Sequence, residues 1–268
     1  RLRKLGWKER PKESGDQKLM RSELIGFLAH DVRDQATRTQ LQQLGKQYLG
    51  LGSKPKPEAV PNDLRNLAVQ VAVQQGDDAV FDGVLKRFGE TQDPIERERL
   101  LGALASVTDA RSARALALTL DPILRSNEVM VPLRRQTSDQ RTREAAFQYL
   151  EQNIDAIVQR LSPERSGGLP WLAAGFCSQA GADRVRALFA SRIEKLQGGP
   201  RSLASVLEGV ALCTAEVAQL SAPIQAFFAS KAPAKAATPK AAPATTAAPA
   251  AAPAAAKAAP APTAATAP

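Results

Sequence analysis

Residues 77–122, DDAVFDGVLKRFGETQDPIERERLLGALASVTDARSARALALTLDP, decide how the rest of the chain is read. Asp77, Asp93 and Asp109 recur every 16 residues, and Pro61 precedes them at the same interval. Sixteen residues hold one short helix and a tight turn. The strongest start is Asp93-Pro94-Ile95-Glu96. Asp93 can accept from a first-turn N–H, Pro94 has no N–H to lose at the first helical position, and Glu96 can close a capping box.

The apolar residues show what such helices must do. After Asp77 they are Val80, Phe81, Val84, Leu85 and Phe88, one stripe on a 3.6-residue helix. Leu64, Leu67, Ala68 and Val71 form the stripe after Pro61, and Leu100, Leu101, Leu104, Ala105, Val107, Leu116, Ala117 and Leu120 continue the pattern. Helices this short are unstable alone and must bury their stripes on one another. Even spacing predicts stacked antiparallel pairs with a period near 32, an all-α solenoid of the HEAT or armadillo kind.

Phe81-Asp82, Leu85, Arg87-Phe88, Thr91, Pro94, Glu96, Arg99-Leu100-Leu101, Ala103-Leu104-Ala105 and Asp109 carry a resemblance. They resemble the C-terminal helical (endoplasmic-reticulum aminopeptidase-like) domain of zinc aminopeptidases of the aminopeptidase N and puromycin-sensitive type. Leu5-Gly6-Trp7, Leu19-Met20-Arg21, Arg141 with Phe147, and Phe176-Cys177-Ser178 match the family in the same order, so the resemblance covers residues 1–229. The chain departs from it at Gln140, where the family has Gly, and at Ala145, where an aromatic is usual.

Composition divides the chain in two. Residues 230–268 are almost wholly Ala, Pro, Thr and Lys and cannot bury apolar surface, so a disordered tail is expected after a folded part at 1–229. The net charge of +9 includes Lys231, Lys235, Lys240 and Lys257 of that tail, which leaves +5 on the folded part. There Arg alternates with Asp or Glu, as in Glu96-Arg97-Glu98-Arg99, which reads as a solvated face and not as a nucleic-acid site. Cys177 and Cys213 lie in apolar helical contexts that favour buried free thiols, with a disulfide left open. No uninterrupted apolar run reaches about 18 residues, so no membrane span is expected. The chain starts Arg1-Leu2-Arg3 without Met or a signal-peptide pattern, the start expected of a domain cut from a longer protein.

Along the chain, Trp7 anchors the entering segment, and helices are expected over 16–30, with Leu19, Leu24, Ile25 and Leu28 inward, and over 33–48. Further helices are expected over 123–133, 138–161, from Ser178 or Asp183, and over 203–228, with turns at Gly50-Leu51-Gly52, Gly167-Gly168 and Gly198-Gly199-Pro200.

The chemistry of bond cleavage is missing. The resemblance implies a zinc enzyme that removes N-terminal residues through H-E-x-x-H, yet the chain has one histidine, His30, which reads as a helix-end or surface residue. Asp82, Asp93 and Asp109 could form a carboxylate cluster, but helix starts account for the last two. The resemblance therefore implies a domain that is inactive alone. Its partners would be the catalytic domain of the same polypeptide, whose cavity it closes, and peptide substrates. Arg134, Arg135 and Arg141, around the loosest loop, are the candidate substrate contacts for a peptide carboxylate; the competing reading makes them solvated helix-start arginines. A freestanding helical-repeat scaffold for a protein partner is the alternative function, and a basic solenoid on nucleic acid a third.

Overall fold

A computed structural model describes residues 5–52 and 54–231. The expected disordered tail falls outside them, apart from the end of the last helix. The chain divides into two units, 1–222 and 223–268. Among the described residues there are eleven α-helices and no strand. In order they are α1 (Gly15–His30), α2 (Gln35–Leu49), α3 (Arg65–Gln74), α4 (Asp78–Glu90), α5 (Pro94–Leu104), α6 (Ser112–Ala117), α7 (Met130–Ser138), α8 (Arg143–Arg160), α9 (Pro163–Ser166), α10 (Gln179–Phe189) and α11 (Gly199–Lys231). The all-α class is as the patterning requires.

Start signals act as their chemistry demands. Ser14 and Gln17 form a capping box on α1, Asp34 caps α2, Asp77 accepts from the Val80 N–H at 3.0 Å, and Asp93 accepts from the Ile95 N–H at 2.9 Å ahead of Pro94. The 16-residue rhythm holds for α4 and α5 and begins with a 3-10 turn at Asn62–Leu64 that leads into α3. It fails at Asp109, whose carboxylate binds the Arg111 N–H and guanidinium, so that α6 starts only at Ser112. Glu96 does not close a capping box either. It is buried and pairs with Arg87, Arg99 and the Tyr48 hydroxyl.

Packing runs between neighbours and between next-but-one neighbours: α2 on α3, α3 on α5, α4 on α5, α5 on α7 and α7 on α8. The stripes read from sequence line the core, with Ala68, Val71, Phe81, Val84, Phe88, Leu100 and Leu104 all buried. Phe147 and Phe189 extend that core through α8 and α10. Ala117 is exposed and Leu118 takes its place inside. α2 lies close against α3: a Cβ at Gly45 would be 2.2 Å from the Ala68 carbonyl oxygen.

Other expectations are corrected. Leu19 is 67 % exposed, and α1 buries Arg21 instead, 1 % exposed, bound to Glu13 and the Gly6 carbonyl. No helix spans 123–133; Asp121 and Glu128 accept the N–H groups of Ile123 and Arg125, which holds 121–128 in turns, and α7 begins at Met130. The expected 138–161 helix begins at Arg143, because the Asp139 carboxylate accepts the Arg141 N–H and competes with helix continuation. Cys177 and Cys213 form a disulfide, their Cα atoms 5.2 Å apart, which selects the alternative left open by their contexts. Gly198 makes the expected turn, but Gly199 and Pro200 open α11. By length and composition, residues 199–230 of α11 are long and apolar enough to cross a membrane. Scanning for an uninterrupted apolar run misses this because Ser, Thr and Gln interrupt the helix at little cost to its average hydropathy.

Buried arginines close the helix ends. Arg97 donates to the carbonyls of Phe88, Thr91 and Ile123 and forms a two-pronged pair with Glu128 at 2.7 and 2.8 Å. Burial alone would raise the Glu128 carboxyl, but the hydrogen bonds from Arg97 and from the Arg125 N–H hold it below the usual carboxylate range.

Arg97→Met strands the Glu128 charge and three carbonyls, so urea unfolding should show a loss of about 3–5 kcal/mol. Removing the exposed Lys86–Glu90 pair by Lys86→Met should cost under about 0.5 kcal/mol. Gly45→Ala forces α2 from α3, and a loss of about 1–3 kcal/mol is expected in the same measurement.

Candidate functional site: an arginine-lined groove

One groove of about 910 Å³ collects polar side chains from four separate parts of the chain. The end of α1, the turn after it and the first turn of α2 supply His30, Arg33 and Arg38; α3 supplies Gln74; α5 and the turn after it supply Glu98, Ser106 and Thr108. The fourth part, α7 with the turn before α8, brings Arg134, Arg135, Gln136, Asp139 and Arg141. All three arginines singled out from the sequence therefore lie in the same groove. Five arginines face two carboxylates.

Local structure explains the placement. Arg33 takes a left-handed backbone, φ 55°, which long side chains rarely adopt. The turn it sits in is pinned by the Asp34 N–H donating to the Leu28 carbonyl at 2.8 Å, with the Asp34 carboxylate capping α2. Arg38 reaches back to the Ala29 carbonyl and across to Gln74, both at 3.0 Å. On the opposite wall, the Gln136 amide donates to the carbonyls of Ala105 and Val107, both at 2.7 Å, and fastens α7 to the end of α5. Thr142 donates to the Gln136 carbonyl, and Arg143 to those of Thr137 and Gly175, so the α7–α8 turn is fixed. Gln136 is 1 % exposed, and its buried side-chain oxygen has no hydrogen-bond partner.

The arginines differ in how far they are neutralised. Arg141 forms a two-pronged pair with Asp139, at 2.9 and 2.7 Å. That hydrogen bond, helped by the Arg141 N–H and the charges of Arg141 and Arg33, holds the Asp139 carboxyl below its usual range. Arg38 is pulled below the normal arginine value by burial and then by the charges of Arg33 and Arg141. Arg134 and Arg135 are exposed, and their guanidinium groups make no hydrogen bond or ion pair among the described residues. His30 ends α1 with its side chain exposed, as the sequence suggested. Desolvation by the groove wall, then the Arg38 charge and to a lesser extent that of Arg135, lower its pKa against the opposing pull of Asp31.

The chemistry of such a constellation suits an anion. Planar guanidinium forks match carboxylates in two-pronged geometry, and five close cations create a potential that favours a negative group. Both cysteines are in the disulfide, and among the described residues no group of three His, Cys, Asp or Glu is placed to hold a metal ion. With one histidine in the chain, the residues present do not fit the family's zinc site. The imagined cluster of Asp82, Asp93 and Asp109 is dispersed, with Asp82 paired to Arg114, Asp93 capping α5 and Asp109 bound to Arg111.

Arg33, Arg38 and Gln136 escaped the sequence reading. Nothing within a few residues of each marks it, because the groove exists only where α1–α2 meets α7. The one local hint is the helix end at His30-Asp31 and the helix start at Asp34 that bracket Arg33, which mark a turn but not its contents.

Residues 1–212 match the family model described as the ERAP1-like C-terminal domain. The chain belongs to that family. Among curated relatives, the ERAP1-like domain is 27 % identical over 211 residues to glutamyl aminopeptidase of Mus musculus. It is 25 % identical over 213 residues to the protein named Aminopeptidase 2, mitochondrial, of Saccharomyces cerevisiae. Each match takes in 77 % of this chain and 21 % of the relative, so the chain spans about a fifth of the length of the curated relatives it matches. What is shared is the C-terminal domain that the family model describes.

The His30 imidazole should titrate below the free-histidine range in an NMR pH series. Arg38→Met should move it upward, because the second-largest cause of the depression is removed; an unmoved midpoint would contradict the assigned electrostatics.

Proposed function

We propose that this domain is the non-catalytic C-terminal part of a zinc-dependent aminopeptidase, where it forms a wall of the peptide-binding cavity and positions substrates by their distal end. In this reading Arg134, Arg135 and Arg141 are the substrate contacts, joined by Arg33 and Arg38, and the peptide's C-terminal carboxylate is the anion they meet. The observation that carries it is the pair of unneutralised guanidinium groups, Arg134 and Arg135, on a groove that holds three further arginines. An exposed pair of that kind is worth little on a convex surface, but in a groove walled by protein each fork is partly desolvated and its interaction with a carboxylate strengthens. The zinc and the catalytic domain belong, in this proposal, to the rest of the same polypeptide, because this chain has one histidine.

The consequence is a dependence on peptide length. A peptide long enough to keep its carboxylate in the groove while its N-terminus reaches the metal gains binding energy, and a shorter one does not. In the complete enzyme, Arg134→Ala with Arg135→Ala should lower kcat/KM for long free-acid peptides by roughly tenfold or more and leave dipeptide-length substrates unchanged. The same long peptides with amidated C-termini should be insensitive to the substitutions. Equal losses on acid and amide, or no loss on either, would refute carboxylate recognition by this groove.

A further inference from the structure

The groove holds more positive charge than one carboxylate can use. Arg33, Arg38, Arg134, Arg135 and Arg141 share it with Glu98 and Asp139, an excess of three positive charges. Asp139 is already committed to the two-pronged pair with Arg141. Arg38 spends its guanidinium on the Ala29 carbonyl and on Gln74. Three forks are left: Arg134 and Arg135 on α7, and Arg33 on the turn before α2. None of the three makes a hydrogen bond or ion pair among the described residues.

The two walls are within electrostatic reach of each other. The charges of Arg33 and Arg141 act on Arg38, that of Arg33 acts on Asp139, and that of Arg135 acts on His30. Arg33 is also held in place at a conformational cost. Its left-handed backbone would suit Gly or Asn better, yet the turn is fixed by the Val32 and Asp34 N–H groups, which donate to the Phe27 and Leu28 carbonyls.

Resting on the reading in which Arg134 and Arg135 take a peptide's C-terminal carboxylate, the geometry points to Arg33 as the partner of a second one: the side-chain carboxylate of a peptide that ends in Asp or Glu. A lone carboxylate would leave like charges facing one another across the groove, and a second negative group relieves them. The rest of the lining agrees. Among the described residues Val131 is the one apolar side chain that lines the groove, so a large apolar last residue has nothing to bury itself against. Nucleic acid is matched less well, because no aromatic ring lines the groove for a base to stack on and two carboxylates stand among the cations.

Titration of the full 268-residue chain, followed by nitrogen–proton NMR at constant ionic strength, tests the assignment. The probes are Ala-Ala-Ala-Ala-Glu and its counterparts ending in Gln and Leu, all with free carboxyl ends. The Glu peptide should bind roughly tenfold more tightly than the other two. Arg33→Asn, which suits the left-handed backbone, should erase that difference and leave the Gln and Leu peptides unchanged. Arg33→Lys should keep part of it, and Arg134→Ala with Arg135→Ala should weaken all three peptides. Equal affinity for the three, still lost with Arg134→Ala and Arg135→Ala, overturns the acidic preference while carboxylate recognition stands. Absence of binding by every peptide overturns both. Equal weakening of all three by Arg33→Asn overturns the role of Arg33, since it would then act only through the general field. Inorganic phosphate that displaces the Glu peptide at equal concentration overturns the inference in favour of a free dianion.

Discussion

Short helices leave many backbone carbonyls unpaired, and in this domain guanidinium groups satisfy them. A helix of three turns leaves its last four carbonyls without an internal donor, a large share of its total. Arg97 closes the end of α4 and the turn at Ile123; Arg111 donates to Val73, Gln74 and Asp77 at the end of α3; Arg160 donates to Thr119, Asp121 and Leu124; Arg143 closes the end of α7. In each case a long side chain from one helix finishes the end of another, so the ends cannot fray independently. A lysine would make at most three bonds from a single point, whereas the fork of arginine reaches two or three carbonyls at once.

Those same residues explain why the charge of the domain misleads when counted. Arg97, Arg111 and Arg184 are committed to carboxylates or carbonyls, and Arg184 pairs with both Glu144 and Glu151. Arg97, Arg114 and Arg184 also lie over the rings of Phe88, Phe81 and Phe147, so the cations cover aromatic core residues as well. Around the groove, Arg134 and Arg135 meet no acid among the described residues, and burial followed by like charges lowers the pKa of Arg38 and His30. A domain built on committed arginines makes its few uncommitted ones conspicuous.

The groove and the exposed apolar residues of α11 are two different departures from self-sufficiency. In the groove the surplus is charge, held in place by a network in which Gln136, Thr142 and Arg143 each use backbone carbonyls of another segment. On α11 the surplus is apolar surface, on a helix whose first half is already absorbed into the core. Both depart locally from rules the rest of the domain obeys, polar groups paired and apolar groups buried.

The sequence by itself determined the helices, because stripes at 3.6-residue spacing and caps such as Asp77, Asp93-Pro94 and Ser14 act within one or two turns of where they are written. It also determined that Arg134, Arg135 and Arg141 cluster near a loose loop, since they are close in the chain. Tertiary structure alone decided the rest. Glu96 left its capping box for Tyr48, 48 residues away, because a buried carboxylate gains more from guanidinium partners than from one exposed N–H. Leu19 yielded the core to Arg21, since Glu13 and the Gly6 carbonyl lay within reach of that guanidinium. Cys177 met Cys213 across a separation of 36 residues, and Arg33 and Arg38 met Arg134 and Arg135 across about a hundred. Pairings at such separations depend on how whole helices stack, and no residue carries that information in its own neighbourhood.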